Sequence, residues 1–237
     1  MAPTANTNSI IVIAGYGPGI SASVARKFAS LGYTKIALLS RTQTKLDTAA
    51  AELVATYNIT AKGFAVDLAD PPAVQTVLAT VRENLAGTIG ILFWNPGGNA
   101  KGIFDLTVET FGNDIASKVT SLVLAVQKIV DDLAANNGAV LVTGGRLSLE
   151  SDESAQLAVD WNAGTLAIGK AAQRKAVHIL HFALKGKGVF AGEVTVLEIV
   201  KGTSFDAAKT ATLSPESIAD KFAELESKRN AVFVSVP

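Results

Sequence analysis

Seven short apolar runs alternate with longer amphipathic stretches along this chain, and that alternation restricts the fold more than any single residue does. Residues 9–15, 35–40, 61–68, 89–95, 139–145, 192–199 and 231–236 read as strands. Most are apolar at consecutive positions, as a strand must be when both its faces are covered. Residues 20–31, 44–57, 72–85, 107–135, 155–185 and 215–228 read as helices. Pro72 suits a first helical turn, where its missing N–H is unpaired in any case, and Ser214 before Pro215 marks another helix start. Strands alternating with helices predict the α/β class, with a doubly wound seven-stranded parallel sheet and right-handed crossovers. No repeat, linker or low-complexity run divides the 237 residues. One domain over 1–237 is expected, with residues 1–8 flexible.

Composition removes several function classes. The formal net charge is zero, so nothing draws the chain to nucleic acid or an anionic membrane. Cysteine is absent, which excludes disulfides and thiolate catalysis. His178 and His181 lie three apart on an expected helix, but no third ligand stands near them, so no metal site is expected. Residues 1–9 are polar, unlike a signal peptide, and no apolar run reaches the roughly 18–20 residues of a membrane span. A soluble, cytoplasmic protein is the expectation.

The first strand runs into Gly15-Tyr16-Gly17-Pro18-Gly19-Ile20-Ser21, and a helix follows. A turn this tight needs residues without a Cβ, and a pyrophosphate must approach its backbone closely. The helix N-terminus then offers unpaired N–H groups and partial positive charge to the phosphates. Placed between strand and helix in the first β-α unit, the loop predicts an NAD(P)-binding Rossmann-type domain. The end of the second strand selects between the two nucleotides. NAD sites usually carry an acid there for the ribose hydroxyls. This chain has Ser40-Arg41-Thr42 and no carboxylate before Asp47. Arg41 can pair with a 2′-phosphate, and Ser40 and Thr42 can donate to it, so NADP(H) is the expected cofactor.

These residues, in this order, resemble the short-chain dehydrogenase/reductase family over nearly the whole chain. The resemblance implies that Asp67, followed by Leu68, binds the adenine amino group. Asn95-Pro96-Gly97-Gly98 resembles the family's Asn-Asn-Ala-Gly motif, with Asn95 stabilising the sheet and the following backbone lining the adenosine ribose. Lys170 resembles the lysine of Tyr-x-x-x-Lys, which hydrogen-bonds the nicotinamide ribose. Thr203, where a Pro-Gly-threonine pattern is common, is expected to donate to the carboxamide. The departures are as informative. The family's tyrosine position holds Leu166, its serine position Gly145 and its helix asparagine position Lys118. The three tyrosines, Tyr16, Tyr33 and Tyr57, all lie in the N-terminal quarter, so no gap placement puts one on the helix of Lys170. The chain is most similar to a divergent branch of the family with the same missing tyrosine.

A carbonyl reduction needs a proton donor as well as a hydride, and leucine donates none. The candidate replacements are Lys118, Thr143, Arg146, Ser148, Asp160, Trp161 and Asn162. Lys118 acts as an acid if desolvated, or is a surface cation; Asp160 donates, or caps a helix; Trp161 packs, or carries substrate. Three functions remain open. One is an NADP(H)-dependent oxidoreductase with an altered proton relay, acting on a small organic substrate such as an imine or an electron-poor alkene. Another is a non-redox cyclase, isomerase or lyase on the same scaffold. The third is a non-catalytic NADP-binding regulator. The stretches 107–135 and 155–185 form the subunit interface in the family, so a homodimer or homotetramer is expected.

Overall fold

A computed structural model describes residues 4–97, 100–203 and 205–237. Its seven strands form one parallel sheet: β1 (Ile10–Ala14), β2 (Lys35–Ser40), β3 (Thr60–Ala65), β4 (Ile89–Trp94), β5 (Ala139–Gly145), β6 (Phe190–Val196) and β7 (Phe233–Val236). Their order is β3-β2-β1-β4-β5-β6-β7, so the strand order reverses between β1 and β4. That reversal opens a crevice at the carboxyl ends of the strands, where α/β sheets bind ligands.

The continuous apolar strands are explained by a core on each face. Along β1, Ile11 and Ile13 face one layer, while Ile10, Val12 and Ala14 face the other. The first layer is closed by α1 (Ile20–Ser30), α2 (Gln43–Tyr57) and α8 (Pro215–Lys228) through Val24, Phe28, Leu53 and Phe222. The second is closed by α3 (Pro71–Asn84), α5 (Ser121–Ala135) and α7 (Gly164–Lys185) through Val74, Leu78, Ile129 and Val177.

Two expected long helices are interrupted, and both interruptions shape the crevice. The stretch 107–135 begins as α4 (Val108–Ile115), passes through a π turn at Ala116–Thr120, and continues as α5. A π turn inserts one extra residue into a helix and turns the following side chains, and such turns concentrate at functional sites. Lys118 lies in it. The stretch 155–185 splits into α6 (Asp152–Asp160) and α7. Asn162 adopts φ +50°, the left-handed conformation that ends helices, and Ala163 N–H donates to Ala158 O at 2.8 Å. β3 and β6 end three residues earlier than their apolar runs suggest, which frees 66–68 and 197–199 to line the crevice.

The N-terminal segment, expected to be loose, is tied down from residue 4. The amides of Thr4 and Ala5 donate to the Glu226 carboxylate, and Ala5 is buried.

Candidate cofactor and active site

The crevice is a cleft of about 840 Å³ that runs from the β2 end to Lys170. The glycine loop builds its floor. Gly15 has φ +79°, and a Cβ there would lie 2.1 Å from Asn95 O, so backbone conformation and space both demand glycine. The amides of Gly15 and Tyr16 donate to Leu39 O, tying the loop to β2. Ser21 Oγ donates to Gly15 O at 2.9 Å and accepts from Asn95 Nδ2 at 2.8 Å. The serine thus does more than fit a small site: it joins the loop to the end of β4. The backbone N–H of Asn95 donates to Ala14 O at the carboxyl ends of β4 and β1.

The loop fits a dinucleotide. Nothing stands within 4 Å of a Cβ built at Gly17, and no side chain caps α1. Side chains cap α3, α4, α6 and α8 (Asp70, Thr107, Ser151 and Ser214), whereas α2 and α7, like α1, have none. The unpaired amides and positive end of α1 are left to an anion in the cleft. Gly15, Tyr16, Gly17, Pro18, Gly19, Ile20, Ser40, Arg41, Asp67, Leu68, Asn95, Pro96, Gly97, Thr143, Lys170 and Thr203 all line that cleft. Gly98 lies outside the described residues. Thr42 stands apart from the cleft lining, at the N-cap of α2. Asp67 Oδ1 accepts from Ala69 N–H, which fixes its carboxylate in the turn after β3. Thr203 packs its methyl 3.4 Å from a Cβ built at Gly19, but its hydroxyl donates to Val200 O at 2.8 Å, so only its lone pairs remain for a ligand.

At the far end Lys170 is buried, and its ammonium donates to Thr143 O at 2.7 Å and to Gln173 Oε1 at 3.4 Å. Its pKa is pushed down to about 7, first by burial and then by the neighbouring charge of Lys118, against the opposing pull of Glu193 and Asp114. The sign of the stability effect follows. A lysine whose folded pKa lies below its unfolded value of about 10.4 opposes folding fully below pH 7, where both states carry the proton. That penalty is relieved as pH rises from 7 towards 10.4. The stability deficit of the native protein against Lys170→Met is therefore expected to shrink by a few kcal/mol over that range, at about 1.4 kcal/mol per pKa unit. Chemical unfolding at pH 7 and pH 10 measures it, and a deficit that stays constant would refute a depressed Lys170.

The candidate proton donors separate. Lys118 is fully buried, not a surface cation, and its ammonium is paired with Asp114 Oδ1 at 2.5 Å. Thr143 lines the cleft with a buried hydroxyl that has no partner among the described residues. Ser148 is excluded from the cleft lining, since its hydroxyl turns back to donate to Gly145 O at 2.8 Å. Asp160 is exposed at the end of α6, where it accepts from Gln156. It neither reaches the cleft nor caps α7, whose N-cap is Ala163. Arg146 and Trp161 line the cleft, and Trp161 meets Phe205 with ring centroids 6.4 Å apart. Asn162 closes α6 and donates to Asp105. Leu166 borders the cleft and packs into a small apolar cluster with Leu147, Ala158 and Ala163. His178 and His181 lie against Phe233 and Phe190, and His181 Nδ1 is 3.0 Å from Ala191 O.

Sequence reasoning missed two buried acids near Lys170. Asp114 is one helical turn before Lys118, a spacing visible in the sequence that carried no weight without evidence of burial. Glu193, inside the apolar run of β6, pairs with Arg174 and accepts from Thr195. A Cβ at Gly144 would lie 2.2 Å from its Oε1, so Gly144 is needed to admit that carboxylate.

The short chain dehydrogenase family model matches residues 9–155, more than half of the chain, and the chain belongs to this family. No curated protein matches it. Among solved structures it is similar to L-sorbose reductase from Gluconobacter frateurii, complexed with NADPH and L-sorbose. That match has 21% identity and TM-score 0.82, covering 98% of this chain and 97% of the other. A short chain oxidoreductase from Pseudomonas aeruginosa, NADPH-bound and containing an atypical catalytic center, matches at 17% identity and TM-score 0.82, with the same coverages. A short chain dehydrogenase from Burkholderia cenocepacia in complex with NADP matches at 19% identity and TM-score 0.80, again covering 98% and 97%. At these identities the likeness is one of fold. Among the described residues, no helix is long and apolar enough to cross a membrane.

Proposed function

We propose that the chain is an atypical NADP(H)-dependent short-chain oxidoreductase that acts on a small organic substrate through an altered proton relay. The observation that carries this reading is one continuous cleft that joins the glycine loop, Arg41 and Lys170. Gly15–Ile20 and the α1 N-terminus would hold the pyrophosphate, Asp67 and Leu68 the adenine side, and Lys170 the nicotinamide ribose. NADPH, when bound, supplies a hydride. The NADP(H)-bound state of the similar folds from Gluconobacter frateurii, Pseudomonas aeruginosa and Burkholderia cenocepacia supports the choice of cofactor. With Leu166 and Gly145 in place of the family's hydroxyls, the proton must come from elsewhere. The packing of Leu166 into an apolar cluster also favours a second reading, a non-redox enzyme on the same scaffold.

Arg41 is exposed at the cleft and pairs with no acid among the described residues. NADPH is therefore expected to bind more tightly than NADH, by the roughly 1.5–3 kcal/mol of a charge-assisted contact. Arg41→Asp should abolish that preference. Titration of both nucleotides against tryptophan fluorescence measures it, and equal affinities in the native protein would sink the cofactor assignment.

We also propose a homodimer or homotetramer assembled through α7 and its neighbours. Ile168, Ile179 and Phe182 are exposed on that helix, and an apolar stripe of this kind is commonly covered by a partner. Light scattering at micromolar concentration should return a multiple of 24.5 kDa. A monomer would argue against it.

A further inference from the structure

Asp114 is an acid that neither the sequence pattern nor the glycine-loop cleft explains. It is only 7% exposed, it lines the cleft, and its Oδ2 has no hydrogen-bond partner among the described residues. A buried carboxylate oxygen left unpaired is costly, so a ligand donor that meets it is favoured. The rest of the side chain is firmly held. Oδ1 accepts from Lys118, which the π turn brings into the interior. The pair is seated against α7 at Gly169: a Cβ there would lie 2.8 Å from Lys118 Cδ and 3.5 Å from Asp114 Oδ2. Gly169 follows Leu166 by three residues, a rise of about 4.5 Å along the helix. The carboxylate therefore stands beside the face that presents Leu166, but displaced along it. Lys170 on α7 feels the charges of Lys118 and Asp114, and also that of Glu193 on β6, which pairs with Arg174.

We propose that the Asp114–Lys118 pair is the proton-transferring group of this cleft, and that it serves a conjugated carbonyl substrate. This rests on the oxidoreductase reading above. The displacement from Leu166 places the proton source away from the oxygen of a simple ketone. It suits a substrate whose hydride-accepting carbon and charge-accumulating oxygen lie at opposite ends of a conjugated system. Lys118 gives a proton to the Asp114 carboxylate along their bond, and the resulting carboxyl protonates that oxygen and converts an enolate to an enol. The Lys118 amine is then reprotonated from solvent, which is left with hydroxide. Proton count and charge balance over the cycle, and the only co-reactant is water.

The test uses phenol, a stable enol, against anisole, which keeps the ring and lacks the O–H. Each is titrated into native protein saturated with NADP, by calorimetry. Phenol is expected to bind about tenfold or more tightly than anisole, the usual value of a hydrogen bond to a charged acceptor. In the double variant Asp114→Leu/Lys118→Met, which removes the pair as a unit and leaves no unpaired charge, the ratio should fall to about one. Equal binding of the two by native protein, no phenol binding, or a ratio unchanged in the double variant would overturn the proposal. A failure of the cofactor reading shows separately, as NADP that does not saturate the protein.

Discussion

Lys118→Met alone is expected to lower the unfolding free energy by about 3–5 kcal/mol, the cost typical of breaking a buried ion pair from one side. The substitution leaves a carboxylate that is 7% exposed in the native protein, with no counter-charge on Oδ1 and no partner on Oδ2 among the described residues. Asp114→Leu alone should cost a similar amount, because it strands an ammonium with no exposure at all beside Lys170. The double variant should recover most of the loss, since apolar residues of like volume replace a buried pair with little penalty. Urea unfolding of the four proteins gives the coupling directly. A double variant as unstable as the sum of the two singles would mean that the residues do not act as a pair.

The contrast between what the sequence showed and what it hid follows from the range of each interaction. The strands, the glycine loop and the crevice were legible because each depends on local rules. A strand covered on both faces must be apolar at every position, and Gly15 must be glycine for φ +79° and for Asn95 O. The helix interruptions were not legible by the same means. The run 107–135 keeps its amphipathic period through the π turn, and Asn162 sits between two stretches that both favour helix. Burial of charge was hidden for a related reason. Lys118 and Asp114 look like a surface i,i+4 pair until α7 is laid over them at Gly169, and that contact is made across more than fifty residues of chain. Glu193 needed the same kind of knowledge, since only Gly144 on the neighbouring strand reveals where its carboxylate goes. Ser148 and Asp160 lie outside the cleft lining and make local bonds, to Gly145 O and from Gln156, that sequence spacing does not display.

Simple ketones are expected to be reduced at least about 10²–10⁴-fold more slowly than conjugated ones, the span that general acid catalysis typically supplies. Leu166 lines the cleft where the family resemblance places a tyrosine, and it offers no proton. Gly145 offers none at the serine position, and the Ser148 hydroxyl is spent on a backbone carbonyl. Thr143 keeps a hydroxyl without a partner among the described residues, and it is the alternative donor that the measurement below must exclude. The remaining proton source, Asp114 with Lys118, is displaced along α7. On the proposal above, the pair meets the oxygen at the far end of an enone and not a carbonyl oxygen attached to the hydride-accepting carbon. The measurement is NADPH oxidation with cyclohexanone and with 2-cyclohexenone, followed through pH 6–9. Turnover of cyclohexanone equal to that of the enone would show that a group near Leu166 fully replaces the tyrosine, and Thr143→Val would then identify it. Conversion of either compound without NADPH oxidation would instead favour the non-redox reading.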